Sequence, residues 1–481
     1  MVIFMAEKTV NYAPGLGIDL HLELSATGSR RAVLTRALRD AMREGRLAPG
    51  TQLPPYRSLA LELGLARNTV AEAYAELVTE GWLTARQGSG TRVAERARPR
   101  ATAPVPAPAV RRTPGRPTPP AHDLRHGQPD PASFPRGPWL ASARRALTDA
   151  PNEAFGPGDP QGRYELRHAL AEYLGRARGV RTTAERIVVC SGFAHALRLL
   201  YGGPVLRGAL AVESYGLPFH RSVLTDAAVA THPLPTDEHG AVTEGLAAMR
   251  AVRAVLLTPA HQFPTGGPLH PERRGSAVAW ARTGGGVVLE DDYDGEFRYD
   301  RQPISALQGL DPEQVIYIGS VSKSLSPALR LGWMVLPERL VDTVLAVKGE
   351  REAWAGVLDQ LTLADFIESG GYDRHIRRMR LRYRRRRDLL LAALSERAPH
   401  IEATGIAAGL HAVLRLPPGT EPATLDRAAR LGVALDGLGS FRHPAAAAAP
   451  GTDGLVIGYA TPPDHAYGAA IDALCQILPP R

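Results

Sequence analysis

VIYIGSVSKSLSPALRLGW, residues 315–333, decides how the rest of the chain reads. Val315–Ile318 is a short β-branched and aromatic run, the pattern of a buried strand. Beyond it come Ser320, Ser322, Lys323 and Ser324, with Arg330 seven residues after the lysine. The chain holds 57 basic residues, yet only Lys8, Lys323 and Lys348 are lysines. Where positive charge alone suffices, this protein uses arginine. An interior lysine therefore points to something a guanidinium cannot do, namely lose a proton and form a Schiff base. Ser320 and Arg330 are the right types to hold a phosphate dianion.

Three upstream stretches have matching chemistry. GGGVVLEDDYDGEFRY (284–299) places Glu290, Asp291, Asp292, Tyr293 and Asp294 at the end of another apolar run. A carboxylate there can pair with a protonated pyridine nitrogen, and a tyrosine hydroxyl can bond a phenolate oxygen. VVCSGFAHALRLL (188–200) ends a strand at Ser191-Gly192-Phe193 and opens a helix whose backbone N–H groups suit an anion. TPAHQFPTGGPL (258–269) gives a polar turn in which His261 and Gln262 can face the other edge of such a cofactor. Each stretch also has a plainer reading: a solvated acidic cluster, a helix cap, a surface lysine. Their order along one α/β pattern favours the joint reading.

That pattern runs from about His122 to the end. Short apolar runs at Ile187–Cys190, Ala209–Val212, Ala254–Leu257, Gly286–Leu289 and Val315–Ile318 alternate with helical stretches, which predicts a largely parallel sheet. After Pro399, strands at Ala412–Leu416 and Leu455–Tyr459 beside a helix at Ala423–Leu431 predict a small α+β subdomain. The arginine-rich stretch 373–394 spaces Ile376, Met379, Tyr383 and Leu390 helically, so it reads as a long helix with a solvated basic face. From Glu95 to Pro120 the composition turns to Pro, Ala, Arg and Thr. Such a tether spans on the order of 75 Å in polyproline form.

Ahead of the tether, Arg30–Glu44, Tyr56–Leu63 and Arg67–Glu80 read as helices, the second ending at Gly64 and the third at Gly81. Two helices joined by a tight glycine turn make a helix-turn-helix, and Thr84–Val93 reads as two strands around a glycine-rich tip, a wing.

The rest of the composition sets limits. With 481 residues, two or three domains are expected. A net charge of +8 permits a polyanion partner without requiring one. Two cysteines, Cys190 and Cys475, build neither a disulfide framework nor a metal cluster and suit a reducing compartment. No run of about 18 apolar residues is present, so the expectation is a cytoplasmic protein without membrane contact or metal.

Two resemblances sharpen these expectations. APGTQLPPYRSLALELGLARNTVAEAYAELVTEGWLTARQGSGTRV (48–93) resembles the GntR-type winged helix. The resemblance implies DNA contacts from Arg57, Arg67, Asn68, Thr69, Gln87 and Gly88. From about Asp123 onward the chain resembles fold-type I aminotransferases. Together, with HQFPTG, EDDYDGEFRY and SKSLSPALRLGW, it resembles the MocR/GabR subfamily of GntR regulators. The implied organisation is a winged helix-turn-helix over 18–94, a linker over 95–121, and over 122–481 a pyridoxal-phosphate-binding, aminotransferase-like domain with a small C-terminal subdomain. The implied function is a transcription regulator that binds double-stranded operator DNA as a homodimer, paired through the aminotransferase-like domain. Its effector is pyridoxal 5′-phosphate, alone or with an amino compound. The alternative is a working aminotransferase that carries a DNA-binding domain.

By resemblance, Lys323 is the Schiff-base lysine, Asp291 the pyridine-nitrogen partner and Tyr293 the partner of the phenolic oxygen. Ser191, Gly192, Phe193, Ser320 and Arg330 form the phosphate cup, and His261 and Tyr215 are further cofactor contacts. The chain departs from its relatives at three points. Pro157 replaces a tyrosine in GPGDPQG (156–162). Leu217 occupies the usual stacking position, with Tyr215 two residues earlier. DGLVIGYA (453–460) lacks the arginine with which aminotransferases hold a substrate carboxylate.

Overall fold

The computed structural model describes residues 29–86, 90–95, 120–299, 304–349, 355–447 and 453–480. The chain divides into two compact units, with the boundary after residue 117. Residues 96–119, where most of the linker reading falls, and the wing-tip residues Gln87 and Gly88 lie outside the described residues.

The smaller unit has helices at Arg30–Arg43, Tyr56–Leu63 and Arg67–Thr79, then strands Leu83–Arg86 and Gly90–Val93 paired antiparallel. Ser29 caps the first helix by accepting from Ala32 N–H. Gly64, at φ +62°, ends the second in the left-handed conformation that a β-carbon disfavours. The apolar stripes meet in a core of Leu34, Leu38, Leu47, Leu59, Val70, Ala73, Leu77 and Leu83. Tyr74 adds a polar tie, its hydroxyl donating to Pro54 O at 3.0 Å.

The larger unit is built on a seven-stranded sheet. Its spatial order is Ile187–Cys190, Gly332–Val335, Val315–Ser320, Val287–Asp291, Val252–Leu257, Ala209–Glu213 and Thr231–Leu234. Every neighbouring pair is parallel except those made by Gly332–Val335, which runs antiparallel to both its neighbours. The inner strands read as continuous apolar runs because both faces are covered. Thr231–Leu234 closes one edge, where Pro233 takes no ladder hydrogen bond from a further strand.

A second, antiparallel sheet holds Ala403–Thr404, His411–Arg415, Gly454–Gly458 and Asp436–Gly437, flanked by helices Glu421–Arg430 and Asp464–Ile477. This subdomain does not come from the tail alone. His122–Asp123 pairs with Val433–Ala434, and Gly458 N–H donates to Leu124 O at 2.7 Å. No helix among the described residues is long and apolar enough to cross a membrane.

The arginine-rich stretch lies in one helix, Gly371–Arg397, with Tyr372, Ile376, Met379, Tyr383, Leu390 and Leu394 buried. Arg374, Arg377, Arg378, Arg384 and Arg385 are exposed. Three others depart from the solvated-face expectation and tie the helix down. Arg380 donates to Glu296 O, and Arg382 bonds Asp130 at 2.6 Å and Asp464 at 3.0 Å. Arg386, 3% exposed, holds Tyr459 O, Ala460 O and Asp464. Removing a buried charged donor leaves its acceptors unpaired, a loss of about 3 kcal/mol or more. Arg386→Ala is therefore expected to lower the urea midpoint of the larger unit clearly, and Arg377→Ala to leave it within error. Equal midpoints for the two variants would show that Arg386 is no structural tie.

Candidate functional site

A cavity of about 540 Å³ opens at the carboxyl ends of the parallel strands, within the roughly 300–1,000 Å³ usual for small-molecule sites. Strand geometry decides which acids reach it. Successive side chains alternate between the faces of a strand, so Asp291 points away from the face shared by Glu290 and Asp292. Glu290 accepts from Leu307 N–H and Gln308 N–H at 2.7 and 2.9 Å, and burial pushes its carboxyl up to about 7. Asp292 takes a bidentate pair from Arg178 at 2.7 and 3.0 Å and a bond from the Tyr317 hydroxyl at 2.8 Å. Asp294 meets His261 Nδ1 at 2.8 Å. Of these four acids, Asp291 alone lines the cavity.

Burial pushes the Asp291 carboxyl well above its ordinary value and Asp292 adds to this, while Lys323 acts in the opposite sense. Such a group gains strongly from a cationic partner. Lys323 also lines the cavity. Burial lowers its ammonium's pKa against the pull of Asp291 and Asp294, which favours the neutral, nucleophilic amine. Its Nζ donates to Gly127 O, and a β-carbon on Gly127 would stand 3.0 Å from that nitrogen. Lys348, the other described lysine, faces elsewhere: it is 4% exposed, and its Nζ donates to Pro160 O and Val189 O.

The opposite end of the cavity is a cradle for an anion. Gly192, at φ +100°, turns the chain into helix Phe193–Tyr201. A β-carbon on Gly332 would come within 2.7 Å of Gly192 Cα, so glycine at both positions lets the backbones touch. Arg330, itself at φ +51°, brings its guanidinium over this turn; both Nη atoms would lie 3.9 Å from a β-carbon on Gly192. Helix N–H groups, Ser320 and a guanidinium converge there, the donor set a phosphate dianion requires.

The remaining sequence-derived residues fall in different places. Gly192, Phe193, Tyr215, Tyr293, Ser320 and Arg330 all line the cavity. Ser191 does not; its N–H points to His195 Nδ1 at 3.0 Å. His261 stands behind Tyr293, 3% exposed, and is not on the cavity wall. Tyr293 stays a phenol, since burial and the nearby Asp294 and Asp291 push its hydroxyl well above its ordinary range.

Several lining residues escaped the sequence reading. Glu213, pushed by burial to about 7, accepts from Thr258 Oγ1 at 2.5 Å. His220 packs its ring 4.4 Å from that of Phe193, and burial lowers it to about 3, leaving it neutral. Arg198 is exposed at the same wall. His220 lies in the first turn of helix Pro218–Asp226 and Arg198 five residues after the start of helix Phe193–Tyr201, each helix following a strand of the large sheet.

The wall facing the C-terminal subdomain is apolar or neutral. Leu410 and His411 line it, and His411 is held well below its ordinary value by burial and by His261 and His126. Behind them Phe263, Val413, Leu438, Phe441 and Val456 form a buried cluster. The two other basic groups on this side are engaged: Arg221 with Gly216 O and Phe441 O, His126 with Asp436 at 2.8 Å.

In the smaller unit Arg57, Arg67 and Asn68 are exposed and Thr69 is half-buried. Arg57 lies over the Tyr56 ring at 5.9 Å, and Arg67 opens the third helix, whose N-terminus has no side-chain cap. Arg86, next to the wing tip, is exposed as well and was not singled out from the sequence.

Residues 31–93 match the family described as bacterial regulatory proteins, gntR family, and residues 131–436 match aminotransferase class I and II. The chain is 33% identical over 382 residues to the HTH-type pyridoxine biosynthesis transcriptional regulator PdxR of Corynebacterium glutamicum, covering 79% of this chain and 82% of that protein. It is 32% identical over 452 residues to the probable rhizopine catabolism regulatory protein MocR of Rhizobium meliloti, covering 89% of each. Among solved structures, a kynurenine aminotransferase of Pyrococcus horikoshii superposes with a TM-score of 0.67 at 25% identity, over 74% of this chain and 90% of that one. Aminotransferases of this class depend on pyridoxal 5′-phosphate, and the cradle and the buried acid–amine pair fit that group. Arg330→Ala should weaken binding of pyridoxal 5′-phosphate about tenfold or more and leave binding of unphosphorylated pyridoxal unchanged. Equal losses for both compounds, read by equilibrium titration, would remove Arg330 from the phosphate.

Proposed function

The chain belongs to the gntR family of bacterial regulatory proteins and carries an aminotransferase class I and II domain, and from that premise we propose that this domain senses pyridoxal phosphate with little or no turnover of amino acids. The protein is a pyridoxal-phosphate-dependent, DNA-binding transcription regulator. The proposed division is a reader over 18–94, a linker over 95–121 and a sensor over 122–481, working in the cytoplasm.

One observation carries the sensor reading. The cavity has a full set of groups for the cofactor, yet its C-terminal wall presents Leu410 and a neutral His411 before an apolar cluster containing Val456. Among the described residues on that side, the Arg221 guanidinium is already committed to Gly216 O and Phe441 O, so a substrate carboxylate would find no free charge-assisted, bidentate contact there. Its α-carbon would then be poorly held for proton transfer.

The assignments in the cofactor site are these. Lys323 supplies the amine, Asp291 pairs with the pyridine nitrogen, and Tyr293 donates to the phenolic oxygen. Ser320, Arg330 and the N–H groups at Gly192 and Phe193 hold the phosphate. The cofactor itself contributes a carbonyl carbon that captures amines. His220, Tyr215, Leu217 and Phe263 line the same cavity and would enclose the bound group and limit its access to water.

We further infer a homodimer paired through this domain, for which exposed apolar side chains are available. Leu140, Leu147, Phe155 and Tyr164 are each more than half exposed and fall within 25 residues of one another. In the reader, Arg57, Arg67, Asn68 and Thr69 meet the duplex, joined by Gln87 and Gly88 of the wing. The pyridoxine-biosynthesis regulator among the relatives favours vitamin B6 metabolism as the regulated process.

Two experiments test this reading. Titrating pyridoxal 5′-phosphate into an operator-binding assay should change operator affinity, and a screen of amino acids should find no sustained transamination. Operator binding indifferent to the cofactor, together with multiple turnover, would return the protein to the enzymes. Arg67→Ala and Arg57→Ala should weaken operator binding by about 1–3 kcal/mol for a lost base contact, or reduce the salt slope for a lost phosphate contact. Cofactor binding should be unchanged in both. Unaltered operator affinity in both variants would misplace the reading helix.

A further inference from the structure

Behind the cavity wall stands a buried pair that none of the cofactor assignments uses. His261 and Asp294 are 3% and 2% exposed, and Nδ1 lies 2.8 Å from the carboxylate. The Tyr293 hydroxyl is 3.0 Å from the same Nδ1 and donates to the His261 carbonyl oxygen, also at 3.0 Å. Nδ1 faces two oxygens, so its single proton is shared between the Asp294 carboxylate and the Tyr293 oxygen, and the phenol's own proton goes to the carbonyl. One residue thus meets the Tyr293 hydroxyl at two points, and an incoming acceptor would draw the hydroxyl proton away from the His261 carbonyl.

The far side of the pair is formed by the C-terminal subdomain. Gly409, at φ +73°, leaves no space: a β-carbon there would stand 2.5 Å from Asp294 and 2.7 Å from His261 Nδ1. A β-carbon on Gly266 would lie 3.0 Å from Gly405 Cα and 3.4 Å from His261 Nε2. Backbone bonds set this approach, from Gly409 N–H to Phe297 O, Ile406 N–H to Gly266 O and Tyr299 N–H to Ala407 O. His411 follows directly, its ring centroid 5.2 Å from that of His261 and its Nε2 3.1 Å from Pro264 O.

We propose that His261 and Asp294 are positioning residues that hold Tyr293 and transmit its engagement to the 405–411 segment, so that cofactor occupancy tightens the contact between the subdomains. The inference rests on the assignment of Tyr293 to the cofactor's phenolic oxygen. A phenol that donates to an anionic oxygen becomes a better acceptor, which strengthens its bond from Nδ1–H and orders the imidazole against Gly409. The link joins a ligand contact on the large sheet to backbone of the C-terminal subdomain through a single side chain.

The test uses the full chain and two readouts, affinity for pyridoxal 5′-phosphate and amide exchange over 405–411. Wild type should gain protection in this segment when the cofactor binds. Asp294→Asn should weaken cofactor binding about three- to tenfold and lose that gain. In a Tyr293→Phe background the same substitution should add nothing, because its effect passes through the hydroxyl. His261→Gln should repeat the pattern and serves where Asp294→Asn does not fold. Additive losses in the double variant, or cofactor-dependent protection retained in Asp294→Asn, would overturn the proposal. Tyr293→Phe binding as tightly as wild type would reject the assignment of Tyr293 and the proposal with it.

Discussion

Two neighbouring parallel strands that end side by side impose the constraint on which the rest of this structure depends. Val287–Asp291 and Val315–Ser320 pair in register, Asp291 opposite Ile318, so the acid and the segment leading to Lys323 emerge at the same edge of the sheet. Neither group would sit comfortably there alone. Burial disfavours the carboxylate and the ammonium alike, and each moderates the other. A site with both can offer a neutral amine to a carbonyl and a carboxylate to a protonated ring nitrogen. The single antiparallel strand Gly332–Val335 then returns the chain past Gly192, and with it the guanidinium of Arg330.

Much of this was legible in the sequence, for a local reason. Strands buried on both faces announce themselves as continuous apolar runs, and the functional groups follow directly at their ends. Lys323 stood out because the chain spends arginine everywhere else. What escaped the reading depends on contacts distant in sequence. His122–Asp123 joins the C-terminal subdomain across some three hundred residues, and no local pattern records that. The strand Gly332–Val335, four residues long and following a left-handed Arg330, was not among the expected strands. Among four neighbouring acids, side-chain alternation and buried partners such as Arg178 and His261 single out Asp291. His261 was read as facing the cofactor; it lies off the cavity wall, and its carbonyl oxygen accepts from the Tyr293 hydroxyl.

The basic helix Gly371–Arg397 shows the same division between pattern and partner. Its apolar stripe was readable from spacing, whereas the roles of its arginines were not. Arg380, Arg382 and Arg386 serve as cross-links because Glu296, Asp130, Asp464 and the carbonyls of Tyr459 and Ala460 happen to face them. Through these contacts the helix joins the loop after Val287–Asp291 to the chain that follows Gly454–Gly458 in the C-terminal subdomain. A ligand shifts such a two-part domain only if it binds one arrangement better than another. Groups that touch both parts, such as His411 with Pro264, are where that difference in affinity can arise.

Reductive trapping tests the central claim, that the amine delivered by the strand end holds the cofactor, most directly. The full chain is saturated with pyridoxal 5′-phosphate, reduced with borohydride, digested and mapped by mass spectrometry. The cofactor label is expected on the peptide that contains Lys323 and on no other. Label on Lys348 or Lys8, or a Lys323→Ala variant that is labelled as fully as wild type, would contradict the assignment of the site.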